Sequence, residues 1–212
     1  MPDPLRDCPP QHEIAPLLDA WNRGDMAGVI DRGMALAPDH PRCAPLFNQL
    51  GLACARLGRH VEAGDAFARV AELDPTNPAA FANLGVALNS QRRFAKAEAA
   101  LRRALALDPG KAEVLYNLGV ALDRQYRFDE AAPVYRQAIA LRPDHFASQF
   151  NLGLALVRLG EFAEADAAFA RAIAMEPGSI DAHWNRSMIR LALGDLENGF
   201  ALYECRERKP DV

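Results

Sequence analysis

The chain has 212 residues, 50% hydrophobic and 25% charged, with a formal net charge of -4. That balance buries a sizeable core and lies outside the range of disordered chains, while the interspersed Lys, Arg, Asp and Glu leave no basic field to capture nucleic acid. No apolar run approaches the ~18 residues of a membrane span, and "MPDPLRDCPPQHEIAPLL" has neither a basic start nor an apolar h-region, so the chain reads as soluble and cytoplasmic, with no membrane or nucleic-acid partner.

Residues 1–43 open with an extension and then "IAPLLDAWNRGDMAGVIDRGMALAPDHP", an apolar helix, a turn at Gly24 and Asp25, and a second helix running into Pro38. This reads as a degenerate helix pair that caps an array, since a terminal unit turns one face to water. From Ala44 onward the chain is periodic. "NLG" recurs with Asn83, Asn117 and Asn151, and 117 − 83 and 151 − 117 are both 34. Four units, 44–77, 78–111, 112–145 and 146–179, share this register, and a partial fifth with a capping helix occupies 180–212.

Each unit reads as two helices. The eighth position is small throughout (Gly51, Gly85, Gly119, Gly153, Ser187), as is the twentieth (Ala63, Ala97, Ala131, Ala165, Gly199), which suits two antiparallel helices crossing closely. Leu50, Leu84, Leu118 and Leu152 at the seventh position, with Phe67, Leu101, Tyr135 and Phe169 at the twenty-fourth, belong to the apolar stripes of amphipathic helices. Pro75, Pro109, Pro143 and Pro177 stop each second helix. Gly58, Gly160 and Gly194 fit the turn between helices, but Arg92 and Tyr126 stand there in the second and third units and predict an altered turn. Pro133 falls near enough to the start of its helix to be tolerated, with a mild kink as the alternative, and Arg186 in the leucine position marks the end of the regular array.

The pattern "FNQLG…A…F…P", "FANLG…A…L…P", "LYNLG…A…Y…P" and "QFNLG…A…F…P" resembles the tetratricopeptide repeat. The resemblance implies an all-α fold, a right-handed α-solenoid of stacked antiparallel helix pairs with a concave groove lined by the first helices. On those helices positions 4, 7, 8 and 11 face the partner, so positions 5, 6, 9 and 13 look toward the groove. Position 6 holds Gln49, Asn83, Asn117, Asn151 and Asn185, whose amides can pair with the backbone of an extended peptide or bridge neighbouring first helices, and both uses stay open. Position 9 is apolar (Leu52, Val86, Val120, Leu154, Met188). At position 5 Tyr116, Phe150 and Trp184 gather in the C-terminal half, either as an exposed binding patch or as packing on the next repeat. Arg56, Arg124 and Arg158 at position 13, with Asp123, fringe this surface with charge, and the ligand expected is a segment with apolar anchors and some acidic residues. Co-chaperones of this class grip an acidic tail through Lys at position 5 and Asn at position 9, and neither occurs here, which argues against that clamp.

A narrower resemblance comes from "DAHWNRSMIRLALGDLENGFALYECR", which is similar to the segment closing the repeat region of bacterial glycosyltransferases related to O-GlcNAc transferase. It is carried by His183, Trp184, Asn185, Arg186, Gly194, Asp195, Gly199, Phe200, Tyr203, Glu204 and Arg206. Only "ERKPDV" follows Arg206, too little for a catalytic domain, so the chain alone is expected to be non-catalytic. No H-E-x-x-H, nucleophile elbow or phosphate-binding loop is present, and Cys8, Cys43, Cys54 and Cys205 lack C-x-x-C spacing, so neither metal nor cofactor is expected. Cys54 reads as a buried thiol and the other cysteines as exposed or loosely packed. Leu196, Phe200 and Tyr203 leave self-association through the final helix open.

Overall fold

The computed structural model describes residues 7–204, so Cys205 and Arg206 lie outside the described residues. The fold is all-α, an α-solenoid of antiparallel helix pairs, with twelve helices and no strand among the described residues. The chain divides into two compact units at Pro109 and Gly110.

The first unit contains α1 (Gln11–Asn22), α2 (Met26–Leu36), α3 (Ala44–Arg56), α4 (His60–Leu73), α5 (Pro78–Ser90) and α6 (Phe94–Leu107), each packed on the next. Leu17, Val29, Leu46, Leu50, Cys54 and Phe67 are buried in its main core, and Val70, Ala71 and Ala80 form a smaller cluster. The second unit contains α7 (Ala112–Asp123), α8 (Phe128–Leu141), α9 (Phe146–Leu159), α10 (Phe162–Met175), α11 (Ile180–Ala192) and α12 (Leu196–Tyr203), again packed in sequence. Its core includes Leu118, Leu122, Tyr135, Leu152, Leu156 and Phe169, all buried.

The helix ends follow from local chemistry. Asp25, Asn77, Ser179 and Asp195 accept hydrogen bonds from the orphan N–H groups of α2, α5, α11 and α12. At the other end the residue before each proline is driven out of the helical region: Asp74, Asp108, Arg142 and Glu176 take φ of -132, -142, -139 and -129. Helix α8 accommodates Pro133 and runs on to Leu141.

Within the four regular pairs the glycine at the eighth position meets the large residue at the twenty-fourth. A methyl group on Gly51 would lie 2.7 Å from the Phe67 ring, and one on Gly119 would lie 2.4 Å from the Tyr135 ring, so these crossings require glycine. The turns between paired helices are uniform, which corrects the expectation for the second and third units. Arg92 and Tyr126 adopt φ of 61 and 62, in the same left-handed region as Gly58, Gly160 and Gly194. One backbone bond explains this. Arg59, Arg93, Arg127, Glu161 and Asp195 donate their N–H to the carbonyls of Cys54, Leu88, Leu122, Leu156 and Arg190, closing every turn alike, and the packed helices impose that closure whatever residue sits there.

A second correction concerns the cysteines. Cys54 is a buried free thiol, but Cys8 and Cys43 are joined in a disulfide with Cα atoms 4.7 Å apart. Cys43 is fully buried at the start of α3, so the bond fastens the segment before α1 to the first regular pair. Their spacing of 35 residues resembles no short cysteine motif.

Candidate peptide-binding surface

In the first unit the candidate residues lie on α3 and α5. Gln49 and Asn83 are half-buried. The Gln49 Oε1 is buried and has no hydrogen-bond partner among the described residues. Arg56 points away from the expected fringe: its guanidinium stacks 4.7 Å from the Trp21 ring centroid and reaches the Met26 sulfur, tying α3 to the first pair. Val86 on α5 is 43% exposed, a large apolar side chain left open beside Asn83.

In the second unit the candidates lie on α7, α9 and α11. Two of the three asparagines are held alike and the third is not. Asn117 and Asn185 each donate an Nδ2–H to the carbonyl one turn back, on Glu113 and Asp181, both at 2.8 Å. Asn151 stands close to the hydroxyls of Tyr116, on the neighbouring first helix, and of Tyr135, which is fully buried without completing a hydrogen bond among the described residues. Burial pushes both tyrosine hydroxyls above their ordinary pKa, the Tyr135 one further, with the nearby Asp123 charge adding to the rise. Thus Asn117 and Asn185 are oriented by their own helices, while Asn151 faces two tyrosine hydroxyls of the preceding helix pair.

Tyr116, Phe150 and Trp184 are half-buried rather than exposed, and each packs on a different neighbour. Tyr116 meets the His145 ring edge-on at 5.0 Å, Phe150 packs between Phe146 at 5.7 Å and Phe169 at 5.5 Å, and Trp184 lies 5.3 Å from Tyr203. Val120, Leu154 and Met188 follow one turn later on the same helices, and Met188 is 46% exposed. Arg124 and Arg158 are exposed and face Asp123, whose carboxyl is raised by burial against the opposing pull of these two arginines.

Sequence reasoning missed the cluster at the end of this unit. Arg186 replaces the usual leucine because its partner is an acid: Asp166 of α10, buried, accepts from the Arg186 Nε at 3.0 Å and from both the Nε and an Nη of Arg190. Arg190 also reaches Asp195 at 2.9 Å, fixing the start of α12. Burial alone would raise the Asp166 carboxyl, but the arginine hydrogen bonds outweigh it and hold the carboxyl below the usual range. The sequence signal was present as a base, Arg186, in a position that is leucine in the four regular units.

The tetratricopeptide repeat family matches residues 30–78, 82–146, 116–165 and 150–206, most of the chain. The chain belongs to the tetratricopeptide repeat family. This tetratricopeptide repeat protein is similar to MamA at 25% identity over 79% of this chain and 91% of that one, with a TM-score of 0.74. It also shares its fold with YrrB, described as having an unusual peptide-binding site (19% identity, 84% and 93% of the two chains, TM-score 0.72). The pilF protein of Pseudomonas aeruginosa is a further fold neighbour, at 23% identity over 80% and 77% of the two chains and a TM-score of 0.69. No curated protein sequence matches the chain. Among the described residues no helix is long and apolar enough to cross a membrane.

Proposed function

We propose that the protein is a non-catalytic interaction module that holds an extended polypeptide segment against its first helices. The observation that carries this is the row on α7, α9 and α11, where the amides of Asn117, Asn151 and Asn185, the first and last oriented by their own helices, stand beside the apolar Val120, Leu154 and Met188. An amide offers both donor and acceptor to a peptide backbone, and the apolar neighbours with the edges of Tyr116, Phe150 and Trp184 offer side-chain contacts. Arg124 and Arg158 give this surface a preference for acidic flanks. Gln49 and Asn83 hold the corresponding repeat position in the first unit. The peptide-binding site of YrrB supports the reading by likeness of fold. We further propose that residues 1–43 and 180–212 cap the four central units.

The test is a pull-down with the wild-type chain and with Asn117→Ala, Asn151→Ala and Asn185→Ala combined, after circular dichroism shows both folded. A partner held by the first and lost by the second supports the reading. Identical partners with both would assign the asparagines to structure and sink it. The reading of the chain as the acceptor-holding part of a glycosyltransferase rests on the signature from His183 to Arg206, and it requires that the gene continue into a nucleotide-sugar domain. Self-association would use the open face of α12, where Leu196 and Phe200 are exposed. The disulfide between Cys8 and Cys43 favours an oxidising compartment over the cytoplasmic location expected from sequence, because such bonds persist outside reducing surroundings. Recovery of the intact cross-linked peptide from acid-quenched cells, fractionated by compartment, decides the location.

A further inference from the structure

The first unit carries a cavity of about 490 Å³ bounded by α4, α5 and α6, and no asparagine lines it. Its origin is a coincidence of small residues. The twenty-first and twenty-fifth positions of the second helices are Glu98 and Arg102 in α6, Ala132 and Arg136 in α8, and Asp166 and Ala170 in α10, but Gly64 and Ala68 in α4. With neither position filled, Phe81 and Leu84 remain only half-buried and Leu88 lies behind them as an apolar floor. Gly64 also admits the Gln91 amide, which donates to the His60 carbonyl at 2.7 Å, where a methyl on Gly64 would stand 2.5 Å from its nitrogen.

The rim is basic. Arg93, Lys96 and Arg103 border the floor against one acid, Asp65. None of the three basic groups forms an ion pair among the described residues: Arg93 donates to Gln91 Oε1 at 3.3 Å, and Arg103 donates to the Pro75 carbonyl at 3.4 Å and lies 5.9 Å over the Phe81 ring. Arg59 and Arg69 of the same unit, by contrast, pair with Glu62 and Glu72. In a chain of net charge -4, unpaired cations ringing an apolar hollow form a surface complementary to negative charge.

We propose that this cavity is a second polypeptide site, which takes an acidic segment of a partner protein bearing one large apolar side chain. The apolar side chain enters onto Phe81 and Leu84, and carboxylates before and after it bind Arg93, Lys96 and Arg103. None of its lining residues belongs to the amide row, so it stands or falls separately from that row.

The experiment uses random dodecapeptides displayed on phage, selected on the full chain, with Ala68→Leu as the counter-selection because leucine at that position fills the hollow. Recovered peptides are made with a fluorescent label and titrated by anisotropy against the wild type, Ala68→Leu, and the double variant Lys96→Glu with Arg103→Glu, all checked by circular dichroism. The expected result is a set of peptides rich in Asp and Glu around a Leu or Phe, with affinity lowered about tenfold or more in both variants and unchanged in Asn83→Ala. Selection that yields no peptide sensitive to filling, or sensitive peptides without acidic enrichment, overturns the proposal. Dimerisation of the wild type that Ala68→Leu abolishes, read by light scattering, would assign the hollow to a second copy of the chain and equally overturn it.

Discussion

Gly119→Ala tests the helix crossing on which every regular pair depends. The new methyl would sit 2.4, 2.7 and 2.8 Å from three atoms of the Tyr135 ring, well inside the ~3.5–4.0 Å of ordinary carbon contacts. Tyr135 is fully buried, so its ring has no solvent side to move into. Overpacking of this kind costs up to about 3 kcal/mol, and alanine in a helix interior returns about 1 kcal/mol over glycine, which leaves a net loss of about 2 kcal/mol. Urea unfolding followed by circular dichroism measures it. Two controls isolate the cause. Gly178→Ala, at a site with nothing within 4 Å of the added methyl, should leave stability near wild type. In a Tyr135→Ala background, where the ring is gone, Gly119→Ala should become stabilising by about 1 kcal/mol. If Gly119→Ala costs the same with and without the ring, close approach is not the reason for glycine at this position.

Further outcomes follow from other sites. Arg92→Gly should raise stability by about 1 kcal/mol, because it removes a side chain held at φ of 61, and a thermal melt will show it as a higher midpoint. Asp166→Ala should cost about 1–2 kcal/mol at neutral pH, discounted from a fully buried pair because Arg186 and Arg190 keep 24% and 30% of their side-chain surface exposed. Since the Asp166 carboxyl is held low in the folded state, its contribution is present above the unfolded value of about 3.9 and lost as pH falls through the folded one; the gap between wild type and variant should therefore shrink in urea titrations below about pH 4. Reduction of the Cys8–Cys43 bond, which closes a loop of 35 residues, should lower stability by about 4 kcal/mol on the chain-entropy estimate, measured by melting with and without reductant.

The fold was legible because its determinants repeat. Small residues at two fixed positions, large ones opposite them and a proline at each end recur often enough that spacing alone separates helix pairs from chance. What stayed hidden depends on pairs of residues far apart in sequence. Arg186 looks like decay of the repeat until Asp166, twenty residues earlier, is seen to accept its hydrogen bond. Arg92 and Tyr126 suggested different turns because residue preference was weighed without the helix packing that overrides it. The bond between Cys8 and Cys43 could not be read from spacing, which carries no connectivity. On the candidate surface, the asparagine positions were visible in the register, but their surroundings were not, because Asn151 faces tyrosines of the preceding helix pair. The hollow beside Arg103 appears only when the sizes of Gly64 and Ala68 are compared with their counterparts in the other second helices.

The disulfide also changes how the chain answers to mechanical load. Tension applied before Cys8 passes through the sulfur bridge directly to Cys43 at the head of α3, so α1 and α2 lie within a closed loop that carries no force. The oxidised chain pulled from its ends would fall short of the reduced chain's full extension by about 120 Å, the contour of the shielded residues at roughly 3.4 Å each. In that state the first pair is a passenger, and α3 bears the strain that an end helix of an array would otherwise take.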